Sequence, residues 1–465
     1  MGAPQLIRGE HQCRRQRGAA QSGGRLMLLS ATLHRGWYTA GDVVRAEVRL
    51  HGLPIPPDGE TSALATRFGR GDNYFVGVDA DAPPMVRVQV LSAQIVGICV
   101  VDSRRIRYRV GVEKSISKLC PGVANDMFPK DHDVYTLFCS DEFTLAKDLL
   151  LRERECKAAV VTFTLPEYLP PSFRGQCVRF YYGLHMQGTW CGPREPCAPV
   201  KLRLPIKVLS SPSVIVPLLI PTRFPLECFD FKEKVLLLQP VPSPAVTDPL
   251  QDSVSPLKVE TFDVRHIRSR VAHSLAKRLA EQRTPLEFPL KLAGESALTV
   301  AVVSTTVMIG DSLNGVFLLR KNTNAVPVKV LGTLEFLECC RADLLNSGIT
   351  CHPLPGGEKG LVVAQTSVIE ELEWVLLDRT SVLFSVSFTN PNLYASMQTD
   401  VVTTCWQLRL RFFWCKSSTR KQCSASHREE LKIEEEESEL VVPLIIVPPP
   451  HPEHPHMGAT LQVFC

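Results

Sequence analysis

No stretch of this sequence approaches the roughly 18 consecutive apolar residues that a membrane-crossing helix requires. Arg14, Arg15 and Arg17 supply basic flanks near the start, but the apolar residues at 26–29 are too few for an export signal, so a non-secreted protein is expected. The 16 cysteines are scattered, with no Cys-x-x-Cys and one adjacent pair, Cys339–Cys340. Reduced, mostly buried thiols in the cytosol are therefore expected. Lipid-attachment signals fail on spacing: Leu6 stands where myristoylation needs Ser or Thr, and Cys465 is last rather than fourth from the end. A nucleophile elbow is missing, since GESAL at 294–298 lacks the second glycine. GRGDNYFVG at 69–77 lacks the glycine spacing of a nucleotide loop, and its Arg70-Gly71-Asp72 reads as a loop coincidence. Cys191 and Cys197 are too far apart for a zinc knuckle, and His451, His454 and His456 lie in a proline-rich tail. A net charge of +4 is too mild for a nucleic-acid binder. The expectation is a protein that is not an enzyme, with no cofactor and no nucleic-acid partner.

What the sequence does hold is alternation. Val178, Phe180, Tyr182, Leu184 and Met186 share one face of 177–186, and Trp406, Leu408, Leu410 and Phe412 share one face of 406–412 opposite Gln407, Arg409 and Arg411. Segments 104–110, 159–165 and 381–388 alternate too, the first with Ile106, Tyr108 and Val110 against Arg105, Arg107 and Arg109. A period of two is what a strand with one buried face requires. Many such strands, punctuated by Gly, Pro, Asn and Asp, predict an all-β protein of antiparallel sandwiches.

Residues 262–283 break the pattern. Val264, Ile267, Val271, Leu275 and Leu279 recur at helical spacing, with Arg265, Arg268, Arg270, Lys277 and Arg278 on the other face. This predicts one basic amphipathic helix. Two readings stand open for it: packing between the sandwiches, or contact through Arg268, Arg270 and Lys277 with anionic lipid or an acidic partner. The expected organisation is a disordered basic segment 1–25, a sandwich over 26–211, a linker over 212–292, a second sandwich over 293–448 and a disordered tail over 449–465. Residues 53–84 and 345–360 read as loop insertions, and Glu434–Glu437 as a solvated loop.

One pattern is written twice. An offset of 269 residues superposes Gly41 on Gly310 and Asp42 on Asp311, and places Val44, Ala46, Val48 and Leu50 on Leu313, Gly315, Phe317 and Leu319. The physics is a strand, a tight Gly-Asp turn and a second strand. A second marker closes each half: LRLPIKVL at 202–209 and LVVPLIIV at 440–447 align Pro205 with Pro443 and Val208 with Ile446. Proline inside such strands belongs on an edge or at a bulge.

Two sandwiches that each open on a strand–Gly-Asp–strand unit resemble the arrestin fold, here over most of 26–211 and 293–448. No residues reproduce the buried charged centre of receptor-binding arrestins, so receptor recognition is not implied. The segment LPPSFRGQCVRFYYGLHM at 169–186 is more specific. Pro170, Pro171, Ser172, Phe173, Arg174, Gly175 and Gln176, followed by Val178, Arg179, Phe180, Tyr182 and Leu184, resemble the signature of the arrestin-like subunit of the two-subunit guanine-nucleotide exchange factor for Golgi Rab-six GTPases. Gly183 departs from that signature, which has a basic residue there. LSAQIVGI at 91–98 and TLFCSDEFTL at 136–145 are further similarities. The resemblance implies a non-catalytic subunit, a large β-propeller partner, a Rab GTPase, a peripheral place on the Golgi membrane and in the cytosol, and a role in retrograde endosome-to-Golgi transport. For Arg174 and Gln176 two readings remain: a hydrogen-bonded loop anchoring the sandwich, or a contact for the partner subunit. PPSFRGQ has no visible counterpart before the strand at 406–412. Two other functions stay open, an arrestin-fold cargo adaptor for endosomal sorting and a disulfide-bonded adhesion protein.

Overall fold

The computed structural model describes residues 27–53, 85–107, 132–166, 168–192, 197–209, 222–224, 233–240, 285–320, 323–349, 351–354, 360–390, 393–416, 436–448 and 460–464. In the first half the strands are β1 (Met27–Leu33), β2 (Tyr38–Thr39), β3 (Val43–Gly52), β4 (Val86–Asp102), β5 (His132–Cys139), β6 (Phe143–Leu151) and β7 (Cys156–Thr164). They continue with β8 (Phe173–Arg174), β9 (Val178–Cys191), β10 (Ala198–Pro205) and β11 (Val208–Leu209). Between the halves lie β12 (Thr222–Phe224) and β13 (Glu233–Pro240). The second half holds β14 (Leu286–Leu292), β15 (Glu295–Val302), β16 (Thr306–Met308), β17 (Ser312–Leu319), β18 (Ala325–Arg341), β19 (His352–Pro353) and β20 (Leu361–Val375). After it come β21 (Ser381–Ser387), β22 (Met397–Thr399), β23 (Val402–Lys416), β24 (Glu436–Val447) and β25 (Thr460–Phe464). The fold is all-β. No described helix is long and apolar enough to cross a membrane.

Each half pairs two sheets. In the first, the order β13-β7-β3-β1-β25 faces a sheet built on β10-β9-β4-β5, with β6 on β4 and β8 on β9. In the second, β14-β15-β17-β21 faces β12-β22-β23-β18-β20-β19, with β24 on β23. The inner faces carry the alternating apolar residues. Val44, Ala46, Val48 and Leu50 of β3 are buried, as are Trp406, Leu408, Leu410 and Phe412 of β23. One apolar core runs through both halves.

The doubled pattern is doubled in three dimensions. Gly41 and Gly310 both adopt positive φ, 85° and 106°, which glycine reaches without a Cβ penalty. Gly41 N–H donates to the Pro166 carbonyl and Gly310 N–H to that of Phe388. Asp42 N–H donates to the Thr39 carbonyl and Asp311 N–H to that of Met308. The closing strands also agree. Val208 pairs with Tyr38 in parallel, and Ile446 pairs with Val307 in parallel, so each half is closed by its last strand lying against its short first turn.

Several expectations are corrected. Residues 103–105 form a turn, not a strand: the Asp102 carboxylate accepts from the Arg104 amide and guanidinium, and the Asp102 carbonyl accepts from Arg105 and Ile106. The stretch expected to be a linker, 212–292, contributes strands to both halves: β12 pairs with β22, β13 with β7 and β14 with β15. The expected disordered tail holds strand β25, which pairs with β1. Glu436 and Glu437 belong to β24, and reach Lys416 and Arg411 at 3.0 and 3.9 Å. Cys191 and Cys197 form a disulfide, since the β9–β10 register, with Ala198 opposite Trp190, sets them across from each other. Nine other described cysteines lie outside any disulfide. The expected helix 262–283 with Arg268, Arg270 and Lys277, the segment 1–25 and Arg70-Gly71-Asp72 lie outside the described residues.

Candidate functional site

The Pro170–Gln176 segment sits where the two halves meet. Pro170, Pro171 and Phe173 are buried, and Arg174 and Gln176 are exposed. Several hydrogen bonds hold the segment to its own half. Tyr182 donates its hydroxyl proton to the Pro170 carbonyl at 2.6 Å. Ser172 N–H donates to the Val208 carbonyl, and Val208 N–H donates back to the Ser172 hydroxyl at 2.9 Å. Phe173 then pairs with Phe180 as β8 turns into β9.

Other contacts cross to the second half. The Phe173 ring meets Tyr394 edge-on at 5.0 Å and Phe336 at 6.1 Å, and Phe336 in turn meets Trp406 at 5.0 Å. Aromatic pairs in such tilted geometries add about 0.5–1.5 kcal/mol each beyond the area they bury. Glu338, near the C-terminal end of β18, accepts the backbone N–H groups of Gln176, Cys177 and Val178 at 2.8, 2.9 and 3.1 Å. Its side chain is buried. Burial pushes the carboxyl above its ordinary value of 4.5, while the three N–H groups and Arg105 pull it part of the way back. Cys177 and Cys340, the latter two residues beyond Glu338 on β18, are both buried thiols. Farther along the seam the Asn346 amide donates to the Arg105 carbonyl, and Arg107 to the Leu344 carbonyl; the Arg107 side chain donates to Asn346 Oδ1 at 2.6 Å. A buried carboxylate therefore does occupy the seam, and it is held chiefly by backbone amides.

The segment has a structural counterpart after all. An offset of 224 superposes Pro170, Ser172, Gly175 and Tyr182 on Tyr394, Ser396, Thr399 and Trp406. Ser396 repeats Ser172: its N–H donates to the Ile446 carbonyl, and its hydroxyl accepts from Ile446 N–H at 2.9 Å. Trp406 repeats Tyr182, donating its indole N–H to the Tyr394 carbonyl at 3.0 Å. The expectation of no counterpart fails because the shared role belongs to one serine among otherwise dissimilar neighbours.

One position differs in kind. In the second half the Thr399 hydroxyl accepts from Val401 and Val402 N–H at 3.3 and 3.0 Å. The matching residue in the first half is Gly175, which has no side chain to offer. Glu338 takes over that task from the other half. A Cβ on Gly175 would lie 2.5 Å from the Glu338 carboxylate, so the glycine is what makes room. Of the residues singled out from the sequence, the structure brings Pro170–Gln176 to the seam; Gly41, Asp42, Gly310 and Asp311 hold turns elsewhere. Sequence reasoning missed Glu338, Ser396 and Thr399. Compared with family models and with curated proteins, the chain matches none.

Proposed function

We propose that this chain is a non-catalytic scaffold subunit of a guanine-nucleotide exchange factor for a Golgi Rab GTPase, acting in retrograde endosome-to-Golgi transport. The observation that carries the reading is the segment Pro170–Gln176 with Val178, Arg179, Phe180, Tyr182 and Leu184. The geometry is compatible with scaffolding: two sandwiches are joined through a bonded seam, and among the seven residues Arg174 and Gln176 are the exposed ones. The partner is a large β-propeller subunit. Exchange itself needs no covalent chemistry. A complex that binds the nucleotide-free GTPase more tightly than the loaded one shifts the equilibrium toward release, and the GTPase then reloads. In this reading the chain is cytosolic and peripheral to the Golgi membrane, and residues 262–283 supply a basic surface for anionic lipid.

Affinity capture with the full chain tests the proposal, with nucleotide release from the captured GTPase as the second readout. Recovery of a propeller subunit and a nucleotide-free Rab is expected; recovery of neither overturns it. Arg174→Glu is expected to weaken the large subunit's binding at least tenfold with no change in thermal stability. Reversing the charges of Arg268, Arg270 and Lys277 is expected to abolish binding to anionic vesicles, and unchanged binding removes the membrane contact.

A further inference from the structure

The two halves finish their matching sheets differently. In the first, β7 is not an edge, because β13 pairs along its outer side in antiparallel register, Glu233 opposite Phe163 and Val235 opposite Val161. Its counterpart in the second half is β21, which pairs with β17 as β7 pairs with β3. Among the described residues no strand lies on the other side of β21.

Natural edge strands are blunted with charge, proline or bulges. The opposite edge of the same sheet, β14, follows that rule with Glu287, Pro289 and Lys291. Strand β20 carries Glu370, Glu371 and Glu373, and its pairing shifts register twice. Strand β21, Ser-Val-Leu-Phe-Ser-Val-Ser, has no charge, no proline and an unbroken register. It also exposes Leu383 at 82%, beside Leu318 of β17 at 40%.

The order of residues in β21 is nearly its own reverse. Antiparallel pairing of two copies about a two-fold axis at Phe384 sets Ser381 opposite Ser387, Val382 opposite Val386 and Leu383 opposite Ser385. Opposed residues in such a pair point to the same face. The serines and leucines therefore meet on the outer face, and the two Leu383 side chains meet diagonally across the axis. Val382, Phe384 and Val386 stay on the inner faces they already occupy. No like charges oppose one another. This self-complementarity singles out the occupant.

We propose that β21 is a homotypic interface, at which a second copy of this chain pairs antiparallel through Ser381–Ser387 and joins two four-stranded sheets into one. The proposal goes beyond the exchange-factor reading and does not depend on it. A single strand pair with one exposed leucine is a small interface, so the dimer is expected to be reversible, with dissociation in the micromolar range.

Sedimentation velocity on the full chain, over roughly 1 to 100 μM as suits a small interface, is expected to show a reversible monomer–dimer equilibrium. Amide exchange at 381–387 is expected to slow as concentration rises. Leu383→Lys places two ammonium groups across the axis and is expected to raise the dissociation constant at least tenfold. Because Leu383 is exposed, the thermal midpoint of the variant at high dilution is expected to match that of the parent. A monomer throughout the range overturns the proposal, as does a dimer that Leu383→Lys leaves unchanged. Protection of 381–387 that is independent of concentration also overturns it, since another segment of the same chain would then cover the edge.

Discussion

The loops at 170–178 and 394–402 do the same task in opposite ways. In the second half Thr399 caps the amides of Val401 and Val402 from within the loop. In the first half, the equivalent amides are capped by Glu338, from 160 to 162 residues downstream. A local cap makes its sandwich self-sufficient. A remote cap makes one sandwich incomplete without the other, and so turns an ordinary turn into part of a joint.

The sharpest way to break this contrast is Glu338→Ala. It leaves three amides at the seam without an acceptor, at about 1–3 kcal/mol for each buried unsatisfied group before relaxation. A loss of about 3–5 kcal/mol in denaturant unfolding is expected, with amide exchange accelerating at 176–178. A loss below about 1 kcal/mol would mean that water serves these amides as well. Next comes Gly175→Thr, which drives a Cβ against the Glu338 carboxylate. A cost of about 1–3 kcal/mol is expected from this overpacking. In the double variant Gly175→Thr with Glu338→Ala, the threonine inherits the local task of Thr399. The two changes are expected to couple favourably by at least about 1 kcal/mol in a double-mutant cycle. Strict additivity would show that Gly175 and Glu338 are not exchangeable solutions. Thr399→Val removes the local cap without changing shape, and about 1–2 kcal/mol is expected, with faster exchange confined to 401 and 402.

A pH experiment separates the halves more gently. His185 of β9 corresponds to Arg409 of β23. Arg409 bonds Glu335 and Glu439 at 3.0 and 2.5 Å, whereas the buried His185 Nε2 has no hydrogen-bond partner among the described residues. Burial, with Arg203 second, lowers the His185 pKa from 6.5 to about 3. The folded protein holds this ring neutral while the unfolded chain protonates it, so the unfolded state binds more protons between these values. Its contribution is therefore present in full above 6.5 and is lost progressively as pH falls toward about 3. The slope is about 1.4 kcal/mol per pH unit. Stability is expected to fall by about that much between pH 6 and 5, and His185→Phe is expected to flatten the slope.

The sandwich class and the doubled units could be read from the sequence because their information is local and periodic. Gly41 and Gly310 announce positive φ, and Val208 and Ile446 keep their spacing from the proline that marks each closing strand. The seam could not be read this way. Glu338 lies in Leu-Glu-Phe-Leu-Glu-Cys-Cys, where nothing distinguishes it from Glu335, and only the fold brings it to Gly175. Ser396 acts through backbone exchange with Ile446, which leaves no pattern in its neighbours. Strands β12 and β13 carry no alternation long enough to stand out from the prolines around them. Their place is set by the strands they pair with. The Arg104–Arg105 turn was hidden for the converse reason, because Asp102 ends the strand while the alternation runs on past it.

The pairing of β25 with β1 has a consequence in time. Leu28 lies opposite Phe464, and the Thr32 and Thr460 hydroxyls meet across 428 residues of chain. During synthesis the outer margin of the first sandwich waits for its seal until the chain has been made out to Thr460, 428 residues after Thr32. Contacts at such separation are slow to form. Through that interval β1 presents an unpaired margin, the condition under which chaperones are recruited. A ribosome-bound chain halted before residue 460 would carry that margin open.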